Sequence, residues 1–103
     1  MATVKITENN FEELVIKNEK TVLLDFYADW CGPCKMLAPV LESLSEENPD
    51  IVVGKINVDD EGGLANTFKV SAIPTLVVMK EGKAVEKQMG FMSKSELLKL
   101  LGK

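Results

Sequence analysis

The sequence predicts a single α/β domain with the element order βαβαβαββα and a mixed central sheet. Three observations point there. Two apolar runs, Thr21–Ala28 and Ile51–Val58, have the composition of strands covered on both faces. A segment with helical apolar spacing lies between them, which is the crossover that parallel strands need. Two further strand patterns, Thr75–Met79 and Ala84–Met89, are joined by Lys80-Glu81-Gly82-Lys83, so an antiparallel hairpin makes the sheet mixed. At 103 residues the chain is close to the commonest domain size and is expected to form one domain, 1–103.

Each element has its own local reason. Thr3–Ile6 is a short strand candidate, and Thr7 to Asn10 supply capping residues before a helix with Phe11, Leu14 and Val15 on one face. From Cys34 to Glu47, the residues Met36, Leu37, Val40, Leu41 and Leu44 recur at helical spacing. Pro39 falls inside that helix and is expected to kink it, because it removes a backbone donor. Asn48-Pro49-Asp50 ends it. Gly54 and Lys55 interrupt the second apolar strand, and Gly62-Gly63 weaken the start of a short helix over Glu61–Phe68. Ser93-Lys94-Ser95-Glu96 is a capping box opening a last helix with Leu97, Leu100 and Leu101 inward, and Gly102 closes it.

Composition narrows the chemistry. Sixteen acidic residues stand against 12 lysines, with no arginine and no histidine, for a formal charge of −4. No basic face is available to neutralise phosphates, so a nucleic-acid partner is not expected. Without histidine there is no Cys-His nucleophile, imidazole acid–base chemistry or imidazole metal ligand. The N-terminal MATVKITENNFEELV has no basic segment followed by an apolar core, and no apolar run approaches the ~20 residues a membrane span needs. The expectation is a cytoplasmic protein with no membrane partner, where a static disulfide is unusual.

The stretch Asp29-Trp30-Cys31-Gly32-Pro33-Cys34-Lys35 then stands out, holding both cysteines and the one tryptophan of the chain. On the first turn of a helix, three-residue spacing puts two thiols on one face with α-carbons roughly 5–6 Å apart, inside the span of a disulfide. A thiolate at a helix N-terminus meets free N–H groups and the positive end of the dipole. Cys31, ahead of the first turn, is therefore expected as the exposed nucleophile, and Cys34 as the shielded resolving thiol. Pro33 suits the first turn and stiffens the ring between the thiols. Other readings stay open at this level. A zinc site would need a dimer pooling two pairs or recruited carboxylates. Two inert core cysteines, or a purely structural bridge, are the remaining ones, although Gly32-Pro33 reads as a turn rather than packed core.

The chain resembles the thioredoxin family. WCGPC matches that family's active-site motif in full, and the resemblance continues through DFYADWCGPCKMLAPVLESL, the KINVDD strand end, AIPT and the EGK hairpin, nearly the whole chain. It implies a thioredoxin fold, a central mixed sheet with helices on both faces. It also implies a protein-disulfide reductase that carries electrons by dithiol–disulfide exchange through a Cys31–Cys34 redox disulfide, with Gly32 and Pro33 in support. Disulfide-containing proteins would be its substrates and a thioredoxin reductase its reductant. No cofactor or metal is called for, and a monomer is expected. A thioredoxin-like binding or chaperone subunit with an unused redox pair is the alternative. Tyr27, Lys69, Gly62 and Phe91 depart from the Trp, Gly or Asn, Pro and small residue common at those positions in the family.

Two supporting sites take their meaning from the same resemblance. Pro74 alone reads as a trans proline at the first position of a strand. The resemblance makes the Ile73–Pro74 bond cis and places it beside the cysteines, with the Ile73 backbone pairing an extended substrate. Trp30, otherwise a candidate for core packing, joins Gly90 and Phe91 in an apolar docking rim. Asp25 lies inside an apolar strand and on the residues alone reads equally as an ion-pair partner of Lys55 or as a catalytic group. The resemblance makes it the proton acceptor for the resolving thiol, with Lys55 in support.

Overall fold

A computed structural model describes residues 3–103. Five strands form one sheet in the order β1-β3-β2-β4-β5: β1 Thr3–Lys5, β2 Thr21–Tyr27, β3 Ile51–Asn57, β4 Thr75–Lys80 and β5 Lys83–Met89. Strands β1, β3 and β2 are mutually parallel, whereas β4 runs antiparallel to β2 and β5 antiparallel to β4. This is the mixed sheet that the two apolar runs and the closing hairpin predict. Three helices complete it, α1 Gly32–Glu47, α2 Gly62–Thr67 and α3 Lys94–Leu100.

Strand alternation divides the core into two layers. On one face, Leu23, Ile51, Val53, Leu76 and Val78 pack with Leu37, Leu41 and Leu44 of α1 and with Leu97 and Leu101 at α3. On the other, Val22, Leu24, Phe26, Ile56, Val77 and Met79 meet Val15, Phe11, Phe68 and Leu64. Both faces of β2 are thus covered, which is why its sequence shows no alternation. By the same parity Asp25 and Tyr27 follow Leu23 onto the α1 face, and Lys55 and Asn57 follow Val53 there.

Several local expectations change. The helix after Asn10 is only one π-helical turn, Glu12–Ile16, with Val15 buried and Phe11 half-buried. Asn10 turns its carboxamide onto the Thr7 N–H and the Lys5 carbonyl, closing the loop instead of capping a long helix. Met36 lies on the exposed side of α1, because the buried stripe runs through 37, 41 and 44. Pro39 lies inside α1, as the sequence places it, and the helix is not ended there.

The start of α2 is supported from outside: Glu8 Oε2 accepts the Gly63 N–H at 3.0 Å, and Glu61 Oε1 accepts the Glu8 N–H at 2.9 Å. In the β4–β5 turn, Glu81 and Gly82 both have positive φ, 52° and 77°, the two-residue geometry that suits the twist of a hairpin. Lys69 is also left-handed, at φ 55°, which explains why glycine or asparagine suits that position. The capping box at Ser93 and Glu96 forms as expected, and Gly102, at φ 80°, ends α3.

Gly54 is where β1 and β2 close on β3. A Cβ there would lie 2.7 Å from Ile6 Cγ1 and 3.2 Å from Leu24 Cδ2, and both side chains are buried in the core. Gly54→Ala is therefore expected to destabilise by roughly 1–3 kcal/mol through overpacking. Urea unfolding should show a lower midpoint with an unchanged slope; an unchanged midpoint would mean that β1 moves aside freely.

Candidate active site

The chain leaves the carboxyl end of β2 at Tyr27, crosses Ala28 to Trp30 and enters α1 at Gly32. Cys31 is the N-cap of that helix, with extended dihedrals of φ −91° and ψ 113°, and its Sγ accepts the Cys34 N–H at 3.2 Å. Gly32 and Pro33 fill the first helical positions, where proline has no hydrogen bond to lose. The Cys31 and Cys34 α-carbons are 5.3 Å apart and the two sulfurs are joined as a disulfide.

The expected difference in exposure is absent. Cys31 is 5% exposed and Cys34 3%, packed with Ala28 and against Tyr27, Val58 and Ile73. Neither cysteine is exposed in the closed ring, so the expectation that Cys31 stands out to solvent is not met in this form. What separates the thiols is position: Cys31 sits outside the helix with a backbone donor on its sulfur, and Cys34 sits within the first turn.

Two loops bring the other expected residues to this place. The Ile73–Pro74 peptide is cis, not the trans bond that a strand-initial proline suggests, and the Ile73 carbonyl oxygen lies 4.0 Å from Cys31 Sγ. Gly90, with φ 95°, donates its N–H to the Pro74 carbonyl at 2.8 Å, tying the loop after β5 to the proline. Phe91 follows and is 46% exposed. Trp30 is no core residue: it is 70% exposed, and its indole N–H donates to Asp59 Oδ2 at 2.9 Å. Beside it opens a crevice of about 420 Å³, lined by Trp30, Val58, Ala65, Val70, Ala72 and Ile73 among others.

Asp59 is a partner that sequence reasoning missed. The parallel register pairs Tyr27 with Asn57, so the residues just past both strand ends emerge side by side.

Asp25 is fully buried, directly across from Lys55 on β3 and Leu76 on β4. Lys55 Nζ approaches Asp25 Oδ2 at 4.0 Å, the outer limit of an ion pair, and neither carboxylate oxygen accepts a hydrogen bond from the described residues. Burial pushes the Asp25 carboxyl up from 3.8 to about 6, with the Lys55 charge opposing. Lys55 also lines a smaller crevice, about 160 Å³, together with Cys34, Tyr27, Ala28, Asp29, Lys35 and Ala38. Lys55 therefore borders both Asp25 and the crevice that Cys34 lines. Asp29 and Lys35 are exposed.

A cysteine pair closed across the first turn of a helix, at the carboxyl edge of a mixed sheet covered on both faces, defines a thiol–disulfide redox protein. The thioredoxin family's sequence profile matches residues 2–103. Among curated relatives, a thioredoxin of Chlamydia caviae is 44% identical over 96 residues, covering 93% of this chain and 92% of its own. A thioredoxin of Mycobacterium tuberculosis is 45% identical over 101 residues, covering 97% and 87%. The chain belongs to the thioredoxin family and is a protein-disulfide oxidoreductase. Among the described residues, no helix is long and apolar enough to cross a membrane.

The buried carboxyl makes stability depend on pH. The unfolded chain releases the Asp25 proton near 3.8 and the folded chain only near 6, so ionisation favours unfolding across that interval. The burden is absent below the unfolded value, grows between the two, and levels off above the folded one at roughly 3 kcal/mol. Asp25→Asn is expected to be more stable than the parent at pH 8, with the advantage fading by about pH 4. Denaturant unfolding of both proteins from pH 4 to 9 checks this. A variant less stable at pH 8 would show instead that Lys55 compensates the carboxylate in full.

Proposed function

We propose that this protein is a cytoplasmic electron carrier that reduces disulfides in partner proteins and is itself re-reduced by a thioredoxin reductase, working as a monomer. One arrangement carries the proposal: the Cys31–Cys34 disulfide caps α1 within 4.0 Å of the Ile73 carbonyl, at a surface flanked by the exposed Trp30. An extended partner chain can pair with the Ile73 backbone as an added strand while its apolar side chains meet Trp30, Gly90 and Phe91.

The reduced protein begins the exchange. The Cys31 thiolate, stabilised by the Cys34 N–H and the helix terminus, attacks one sulfur of the partner's disulfide. The partner's other sulfur leaves as a thiolate and takes a proton from solvent. Cys34 then passes its proton to Asp25, by way of the crevice that Lys55 lines, and its thiolate attacks Cys31 Sγ. The partner's second thiolate leaves and takes a proton from solvent, and Asp25 gives up to solvent the proton it took from Cys34, so the partner has gained two electrons and two protons and the Cys31–Cys34 disulfide has formed. A folded-state value of about 6 leaves Asp25 mostly ionised at neutral pH, while keeping it a stronger base than an exposed carboxylate. The reductase supplies the two electrons that reopen the ring.

Reduction of insulin disulfides by the dithiol form tests this. Cys31→Ser is expected to abolish turnover, whereas Cys34→Ser should keep the first attack and accumulate covalent adducts with partners. Turnover equal to background in the parent would leave a binding role in place of reduction. Preferential alkylation of Cys34 over Cys31 at neutral pH would reverse the assignment of the two thiols. Asp25→Asn should slow resolution of the adduct, toward the lower end of the 10²–10⁴-fold typical of a positioned base because water relays the proton. Single-turnover kinetics give that rate, and the parent rate in the variant would make Asp25 purely structural.

A further inference from the structure

Asp25 and Tyr27 lie two apart on β2, and Lys55 lies opposite Asp25 on β3, so all three share the α1 face of the sheet. Tyr27 and Lys55 are then diagonal neighbours, a separation that aromatic and long side chains bridge. The Lys55 Nζ sits 4.5 Å from the centroid of the Tyr27 ring and 4.0 Å from Asp25 Oδ2. A loose, partly exposed pair is a weak restraint on a side chain with four rotatable bonds and a strong preference for water. Lys55 lines an open crevice and could extend its ammonium toward solvent. The face of the tyrosine ring provides the second attachment that keeps it inward.

We propose that Tyr27 is a positioning residue whose ring holds the Lys55 ammonium against Asp25 and so tunes the proton affinity of that carboxyl. The consequence for catalysis rests on Asp25 acting as the Cys34 proton acceptor. Other ionisable groups near this face are Lys35 from α1 and Asp29 in the loop after β2, with Asp60 close to Tyr27, while Cys34 is held in the disulfide. The β4 neighbour of Asp25, Leu76, brings no charge. Lys55 is the group whose charge acts on Asp25, and displacing it removes the one influence that opposes burial.

The test titrates the Asp25 carboxyl by carbon NMR in the oxidised protein, alongside the pH profile of mixed-disulfide resolution. Tyr27→Leu should raise the Asp25 midpoint by about half a pH unit as the ammonium moves away. Tyr27→Phe and Tyr27→Trp, which keep an aromatic face, should hold it at the parent value. In a Lys55→Met background, Tyr27→Leu should add nothing. An unchanged midpoint in Tyr27→Leu, or the same rise with and without Lys55, would overturn the proposal. The parent protein offers a check independent of any variant's folding: the Lys55 ε-methylene protons should resonate upfield through the ring current, and an ordinary lysine shift would also overturn it. A midpoint that moves while the resolution profile stays still would sustain the positioning role and remove Asp25 as proton acceptor.

Discussion

Strand β2 is hydrogen-bonded on both edges, to β3 on one side and β4 on the other, and covered by side chains on both faces. Its position imposes the rest of the molecule. A strand with neither edge nor face free cannot adjust its register, because a slip of one residue would move every side chain to the opposite layer. The carboxyl end of β2 is thus rigidly placed, and the chain that leaves it delivers Cys31 to the N-cap of α1. The redox pair borrows its precision from a strand that it does not belong to.

The same rigidity explains how a carboxylate survives inside the core. Parity sends Asp25 to the α1 face, where it is fully buried. Its nearest opposing charge is held loosely enough that burial dominates, and the group becomes a weaker acid than usual. A tighter ion pair would oppose burial more strongly and bring the carboxyl back toward its ordinary acidity. Strand alternation thereby concentrates a burden on stability at one residue.

The surface around the cysteine pair is assembled differently. Trp30, Ile73 and Gly90 come from three connections between elements; Trp30 is tied to Asp59 in the connection after β3, and Gly90 to Pro74 beside Ile73. Such loops are where variation in partner choice can accumulate, since they border the rigid cysteine pair without setting its geometry. Phe91, bulky and half-exposed at this border, adds apolar surface where the family commonly has a small residue.

Features set by neighbours in the chain were legible from the amino-acid sequence alone. Helical spacing in α1, the continuous apolar composition of β2 and β3, the Ser93 capping box, the hairpin after Lys80 and the helix-terminal position of Cys31 each depend on residues within a few positions of one another. The motif from Trp30 to Cys34, with Pro74 farther on, likewise marked the site. Contacts across the sheet decided what the sequence left open. Only the β2–β3 register brings Lys55 beside both Asp25 and the crevice that Cys34 lines and Asp59 within reach of Trp30, and only packing in three dimensions buries Cys31 and turns Met36 outward. Glu8 reaches the start of α2 across more than fifty residues of chain, where no local pattern could announce it. Local periodicity reports the conformation of a segment, whereas burial and pairing depend on which segments meet. That meeting is settled by strand order.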